Sequence, residues 1–199
     1  PFSFEVTALL KDKGNSLVVL VNNTRRHDAV PTENFDWMNY GGITRDVQLV
    51  EVPSTFIADY SVQLDRGSLD RIKGFVRLDG PTKQQTVTVE IPEIKIRQQV
   101  QTDAKGEASF AVDAKKLILW SPEQPKLYDV VISCKTDRIT EKIGFRSIEV
   151  SGREILLNKK PVFLRGVCAH EENPLRGARA YSKEDARMLL TWARELNCN

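Results

Sequence analysis

Two short stretches of this 199-residue chain gather side chains able to act on a polar small molecule. The first is His170 with Glu171 and Glu172 beside it. A neutral imidazole donates through one ring nitrogen and accepts through the other, and adjacent carboxylates are the residue types of general acid and base work. The second is Asp36, set among Phe35, Trp37 and Tyr40. A carboxylate there offers two strong acceptor oxygens, and the aromatic faces could stack on a ring. Each stretch also has a plainer reading, with His170 satisfying loop carbonyls and Asp36 capping its own turn. Metal and thiol chemistry find little footing. His170-Glu171 lacks a second His at helical spacing, His27 being the only other histidine. Cys134, Cys168 and Cys198 are odd in number and far apart with no C-x-x-C pair, so neither a disulfide framework nor a zinc site is indicated. No metal and no cofactor is assigned.

Charge and hydropathy narrow the partners. The 29 basic and 27 acidic residues leave a net charge of +2 and are spread along the chain, so no phosphate-tracking stripe forms and nucleic acid is not an expected partner. No apolar run approaches the roughly 20 residues that span a bilayer, so no membrane is expected either and the chain reads as soluble. The opening PFSFEVTALL has neither a basic n-region nor a signal-like apolar core. The absence of an initiating Met, and an ending directly after a helical pattern, suggest a piece cut from a longer protein. Localisation is therefore left undetermined, with a periplasmic or secreted destination open.

The elements that must position these residues show in the periodicity. From Phe2 to Val150 the dominant period is two, which predicts strands over Ser16–Val21, Val47–Val52, Thr86–Ile91, Ala108–Val112 and Tyr128–Ser133. Turn signals at Asp12-Lys13-Gly14-Asn15, Asp79-Gly80-Pro81, Asp103-Ala104-Lys105-Gly106 and Ser151-Gly152 punctuate them, the rhythm of an antiparallel sandwich. Asn22 to Gly42 breaks the alternation and reads as a long functional loop. After Val150, Glu154–Asn158 and Val162–Val167 predict a hairpin around Lys159-Lys160, its second strand apolar enough to be buried on both faces. A polar loop over Cys168–Ala180 leads to Ser182-Lys183-Glu184-Asp185, a capping-box-like start to a helix with Ala186, Leu189, Leu190, Ala193 and Leu196 on one face. Strand, loop and helix form the first unit of an α/β domain, and one repeat leaves barrel and open sheet undecided.

Three strings then carry a resemblance. Phe35-Asp36-Trp37-Met38-Asn39-Tyr40-Gly41-Gly42-Ile43-Thr44-Arg45-Asp46-Val47-Gln48-Leu49 resembles the end of the sugar-binding jelly-roll domain of glycoside hydrolase family 2. Leu119-Trp120-Ser121-Pro122-Glu123-Gln124-Pro125-Lys126-Leu127-Tyr128 is similar to the L-W-S-P-x-x-P-x-L-Y signature of that family's immunoglobulin-like domain. From Gly144-Phe145-Arg146 through Leu156 to Val167 and on to His170-Glu171, the chain resembles the family's entry into its catalytic (β/α)8 barrel. The three strings follow in family order and reach over nearly the whole chain.

The resemblance implies a mainly β chain in three parts. Residues 1–53 would close a jelly-roll sandwich, 54–150 form a complete immunoglobulin-like β-sandwich, and 151–199 open a TIM barrel with its first βα unit. It implies a retaining exo-β-glycosidase that hydrolyses terminal β-linked sugars, a β-galactosidase first and a β-glucuronidase as the alternative. Retention needs two carboxyl groups about 5 Å apart. The family's two catalytic Glu stand on later barrel strands, so they are expected beyond Asn199, no residue here takes either role, and this piece alone is expected to be inactive. By the same resemblance His170 lines the sugar subsite and Asp36 reaches into the barrel mouth to bind sugar hydroxyls. Trp37 and Tyr40 are read as packing that holds the loop. A carbohydrate substrate is thus the expected partner. The competing class is a free-standing carbohydrate-binding or structural sandwich module, against which stands the strand, loop and helix after Val150. Unpaired sheet edges in the two flanking pieces predict a homo-oligomer.

Overall fold

The structure, a computed structural model, describes residues 3–30, 32–34, 39–43 and 45–199. Asp36 and Trp37 lie outside the described residues. The chain divides into two compact units, one of residues 1–48 with 168–192 and one of residues 49–167 with 193–199.

The second unit is built around a sandwich of seven strands. β1 (Phe56–Leu64), β2 (Arg71–Asp79) and β5 (Glu107–Asp113) form one antiparallel sheet in the order β1-β2-β5. β3 (Thr86–Ile91), β4 (Ile96–Gln101), β6 (Tyr128–Ser133) and β7 (Arg138–Ile143) form the other in the order β4-β3-β6-β7. The fourth strand thus pairs with the third across a one-turn 3-10 segment, Pro92–Ile94, whose end at Lys95 turns left-handed with φ 59°.

Alternation along each strand decides what the sheets bury. On β2 Ile72, Val76 and Leu78 face inward and are almost fully buried, while Arg71, Lys73, Arg77 and Asp79 face water. They meet Val87, Val89 and Ile91 of β3 and Tyr128, Val130 and Ile132 of β6, closing one continuous core. β1 changes parity on the way. A register shift between Ile57 and Asp59 leaves Ala58 without a partner, so the inward set moves from Ile57 to Val62 and Leu64. Gly74 occupies an inward position of β2 because nothing larger fits. A Cβ there would lie 2.2 Å from the Ser61 carbonyl oxygen and 2.4 Å from Cζ of Phe110, whose ring fills the space.

After the sandwich, β8 (Ile148–Ser151), β9 (Glu154–Leu157) and β10 (Lys160–Val162) make an antiparallel meander. Its second turn is formed by Asn158 and Lys159, both at positive φ (52° and 67°), the conformation a two-residue hairpin of matching twist demands.

In the first unit β11 (Glu172–Asn173) and β12 (Ala178–Arg179) form a short hairpin inside the polar loop. It leads to α1 (Lys183–Glu195). The expected capping box is present with Asp in place of Glu: Ser182 Oγ accepts the Asp185 amide at 3.1 Å, and Asp185 Oδ2 accepts the Ser182 amide at 3.1 Å.

Several expectations are corrected. Strands Thr86–Ile91 and Tyr128–Ser133 stand as read and Ala108–Val112 lies within β5, but Ser16–Val21 and Val47–Val52 carry no ladder. Alternation selects a face, whereas a strand exists only where a second backbone accepts its hydrogen bonds, and no described residue does so. Leu17, Val18 and Leu20 are consequently exposed. The second hairpin strand is β10, ending at Val162, and the apolar run after it is not buried, Phe163 being 79% exposed and Leu164 58%. On α1 the apolar face is only partly covered, with Leu189 and Ala193 half-buried and Leu190 and Leu196 exposed. Burial depends on neighbouring layers, which apolar composition alone does not supply.

Candidate functional site

In the second unit the L-W-S-P string and the G-F-R string meet. Ser121 and Gln124 exchange backbone hydrogen bonds of 3.0 and 3.1 Å, closing the turn around Pro122. The Trp120 amide donates to the Phe145 carbonyl at 2.8 Å. Phe145 is buried and its ring lies 6.0 Å from that of Tyr128, tilted by 53°. Tyr128 Oη in turn accepts the Ile118 amide at 2.8 Å. Gly144 sits flat against Trp120, and a Cβ there would meet its Cδ1 at 2.8 Å. The Arg146 guanidinium covers the Trp120 ring at 5.1 Å.

Asn158 completes this cluster from the meander. Its side-chain amide donates to the Trp120 carbonyl at 3.0 Å, its Oδ1 accepts the Ser147 amide at 3.0 Å, and its own amide donates to the Ser147 carbonyl at 2.9 Å. The strings that mark the sandwich fasten the meander to it.

In the first unit the polar groups gather around the loop after Cys168. The base of the long loop is closed by a reciprocal pair of side chains. Asn23 Nδ2 donates to the Asn39 carbonyl at 3.0 Å, and Asn39 Nδ2 donates to the Asn23 carbonyl. Gly41 lies against the Asn23 amide, where a Cβ would come within 2.9 Å of Nδ2. Glu171 Oε2 accepts from Arg45 at 3.1 Å and from Arg179 at 2.5 Å. Arg179 stands 5.9 Å over the Tyr40 ring. Deeper in, Asp185 is 4% exposed and accepts a two-pronged contact from Arg176, both bonds 2.7 Å, together with the Asn173 side chain at 2.7 Å and the Tyr181 amide at 2.9 Å. The Arg176 guanidinium, and after it the Tyr181 amide, hold the Asp185 carboxyl well below the usual carboxylate range. This anchor ties the β11–β12 hairpin to the start of α1.

His170 leads into that hairpin. Its carbonyl accepts the Glu172 amide at 2.6 Å, while its ring is exposed and takes no hydrogen bond among the described residues. Asp36, the second residue expected to face a sugar, lies outside the described residues, between Asn23 and Asn39 in sequence. Glu171 is engaged by two arginines, and Glu172 is half-buried in β11. Sequence reasoning passed over Arg45 and Arg179, because pairs separated by 126 and 8 residues in loops follow no periodic rule. Among the described residues no group of three or more His, Cys, Asp and Glu side chains could hold a metal ion. Among the described residues no helix is long and apolar enough to cross a membrane.

Comparison with known proteins gives these clusters a context. Residues 55–146 match the family model for glycosyl hydrolases family 2. A β-galactosidase of Clostridium acetobutylicum is 30% identical, over all of this chain and 23% of that protein. One from Streptococcus thermophilus is 31% identical, over 93% of this chain and 19% of its own length. The chain thus spans about a fifth of the length of these curated relatives. Among solved structures, a family 2 β-galacturonidase from Eisenbergiella tayi bound to galacturonate superposes with a TM-score of 0.72 at 25% identity, covering 90% of this chain and 34% of that one. A β-glucuronidase from Ruminococcus gnavus gives 0.69 at 26%, covering 83% and 28%. The seven-stranded sandwich, the three strings in their order and these relatives agree in a likeness to glycosyl hydrolases family 2, whose model matches residues 55–146.

Proposed function

We propose that this chain is the central part of a retaining exo-β-glycosidase that releases terminal β-linked sugars, with β-galactosides as the first substrate class. The observation that carries this reading is the likeness to β-galactosidases along the entire chain, beyond the sandwich alone. In this reading residues 1–53 close a sugar-binding jelly roll, 54–150 are the immunoglobulin-like domain, and 151–199 open the catalytic barrel. Loops at the C-terminal ends of barrel strands build the sites of such enzymes, which suits His170, just past the run Val162–Val167 that would open the barrel in this reading. The exposed ring of His170 would hydrogen-bond a sugar hydroxyl, and Asp36 would supply an acceptor from the jelly-roll side. Retaining hydrolysis needs a nucleophile and an acid/base about 5 Å apart. By the family resemblance both catalytic carboxylates stand on later barrel strands outside this chain, so the chain alone is inactive; Glu171, tied to two arginines, and half-buried Glu172 take neither role.

A β-uronide is the second reading, favoured by the superposition on a β-galacturonidase and a β-glucuronidase. Recognition of a uronate carboxylate would require cationic or amide groups from barrel loops not in this chain.

The test is to assay the full-length protein on aryl β-galactoside, β-glucuronide, β-galacturonide and β-mannoside, following the anomer first released by NMR, with this 199-residue chain run alongside. Turnover of a galactoside with the β-anomer first and a silent short chain is the expected outcome. Inversion, or activity in the short chain, would overturn the assignment of the carboxylates. A full-length protein silent on all four would favour a carbohydrate-binding module.

A further inference from the structure

We propose that Glu171 is a positioning residue, whose clamp on Arg45 and Arg179 holds the His170 loop to Arg45 and, through Arg179, to the Tyr40 ring. The inference rests on the glycosidase reading for its consequence and on geometry for its substance.

Five contacts make the clamp more than a surface ion pair. Arg45 grips the loop at two points, donating to the Glu171 carboxylate at 3.1 Å and to the Ala180 carbonyl at 3.3 Å. Those two residues are themselves joined, since the Ala180 amide donates to the Glu171 carbonyl at 2.8 Å. Arg45 therefore bridges both sides of the β11–β12 hairpin. From the other side Arg179 spans Glu171 and the Tyr40 ring. A lone exposed pair of this kind contributes little, but a carboxylate shared by two arginines, each with a second partner, leaves few ways for the loop to move.

The two ends of this clamp are the segments that the glycosidase reading needs together. Glu171 follows His170 directly. Tyr40 and Arg45 flank the end of the long loop, a few residues past Asp36 in sequence, and Asn23 and Asn39 close that loop at its base. Loss of the carboxylate would leave Arg45 only its bond to the Ala180 carbonyl, release Arg179 from Glu171, and let the His170 ring drift from the position a sugar hydroxyl requires.

The experiment compares Glu171→Ala, Glu171→Asp, His170→Ala and the His170→Ala/Glu171→Ala double variant in the full-length protein. Asp129→Asn, which breaks an exposed pair with Lys142 in the sandwich, serves as control. A misplacement near 1 Å costs on the order of 100-fold, so E171A should lower kcat/KM by up to that factor, mostly through KM. E171D should restore part of the loss, and the double variant should be no worse than H170A alone, because both changes remove one contact. Hydrogen exchange in E171A should rise together over residues 39–43 and 170–181, with the global unfolding temperature unmoved. Losses that multiply in the double variant, or exchange that rises in one segment only, would overturn the proposal. A wild-type protein silent on every glycoside, with exchange still rising in both segments, would sink the glycosidase reading and leave the clamp standing.

Discussion

Phe145→Ala is the sharpest probe of the sandwich, because Phe145 is only 1% exposed and stands where the two family strings cross. Truncating a buried phenylalanine costs about 3–5 kcal/mol, transfer and cavity together. The tilted contact with the Tyr128 ring contributes about 0.5–1.5 kcal/mol within that range. The hydrogen bond from the Trp120 amide to the Phe145 carbonyl survives truncation, since it uses backbone atoms. A shallow cleft lined by Val62, Leu64, Gly144 and Arg146 borders the ring and would admit water to the vacated space, which favours the lower end, about 3 kcal/mol. For a domain near 100 residues, each kcal/mol shifts the unfolding temperature by about 4–8 °C, so a fall of about 12–24 °C is expected. The assay is urea and thermal unfolding followed by Trp120 fluorescence in a background where Trp37 and Trp192 are Phe. Phe75→Ala is the matched control, because Phe75 lies on the outer face of β2, is 40% exposed and should cost under about 1 kcal/mol. If the two variants lost equal stability at unchanged denaturant slope, the core drawn around Phe145 would be wrong.

Two further outcomes follow from the same structure. Gly74→Ala forces a methyl group against the Ser61 carbonyl and the Phe110 ring and should destabilise the sandwich by about 1–3 kcal/mol, with Gly74→Ala/Phe110→Leu recovering part of the loss in the same unfolding assay. Asp185→Asn tests the loop anchor through pH. The folded carboxyl titrates below its ordinary 3.8, so its stabilisation is fully present above that value and is lost as pH falls through and beneath it. The wild type should therefore exceed D185N in helix content and in protection of residues 173–185 at neutral pH, and the gap should close below pH 3.8. A gap that is constant with pH would show that the contacts to Arg176 and Asn173 do not depend on charge.

What could be read from one dimension was periodicity, turns and strings. Thr86–Ile91 and Tyr128–Ser133 alternate because each has one face on a core, and the pleat writes that face into every second residue. Ser182 and Asp185 announced the helix start because a capping box is local, both bonds closing over three residues. The strings around Trp120 and Phe145 carried the family resemblance without showing their work, which is to fasten Asn158 and the meander to the sandwich.

The sequence alone determined the strands that carry a two-residue period and find partners nearby, the turns, the helix cap and the family resemblance. Tertiary structure decided the rest. Ser16–Val21 has the pattern of a strand and no ladder, and Phe163 and Leu164 have the composition of a core strand and stand in water, because pairing and burial belong to two surfaces at once. The grip of Arg45 on Glu171 joins residues 126 apart, and no local rule reaches that far: the chain specifies each side chain, and only its folding brings their charges within 3.1 Å.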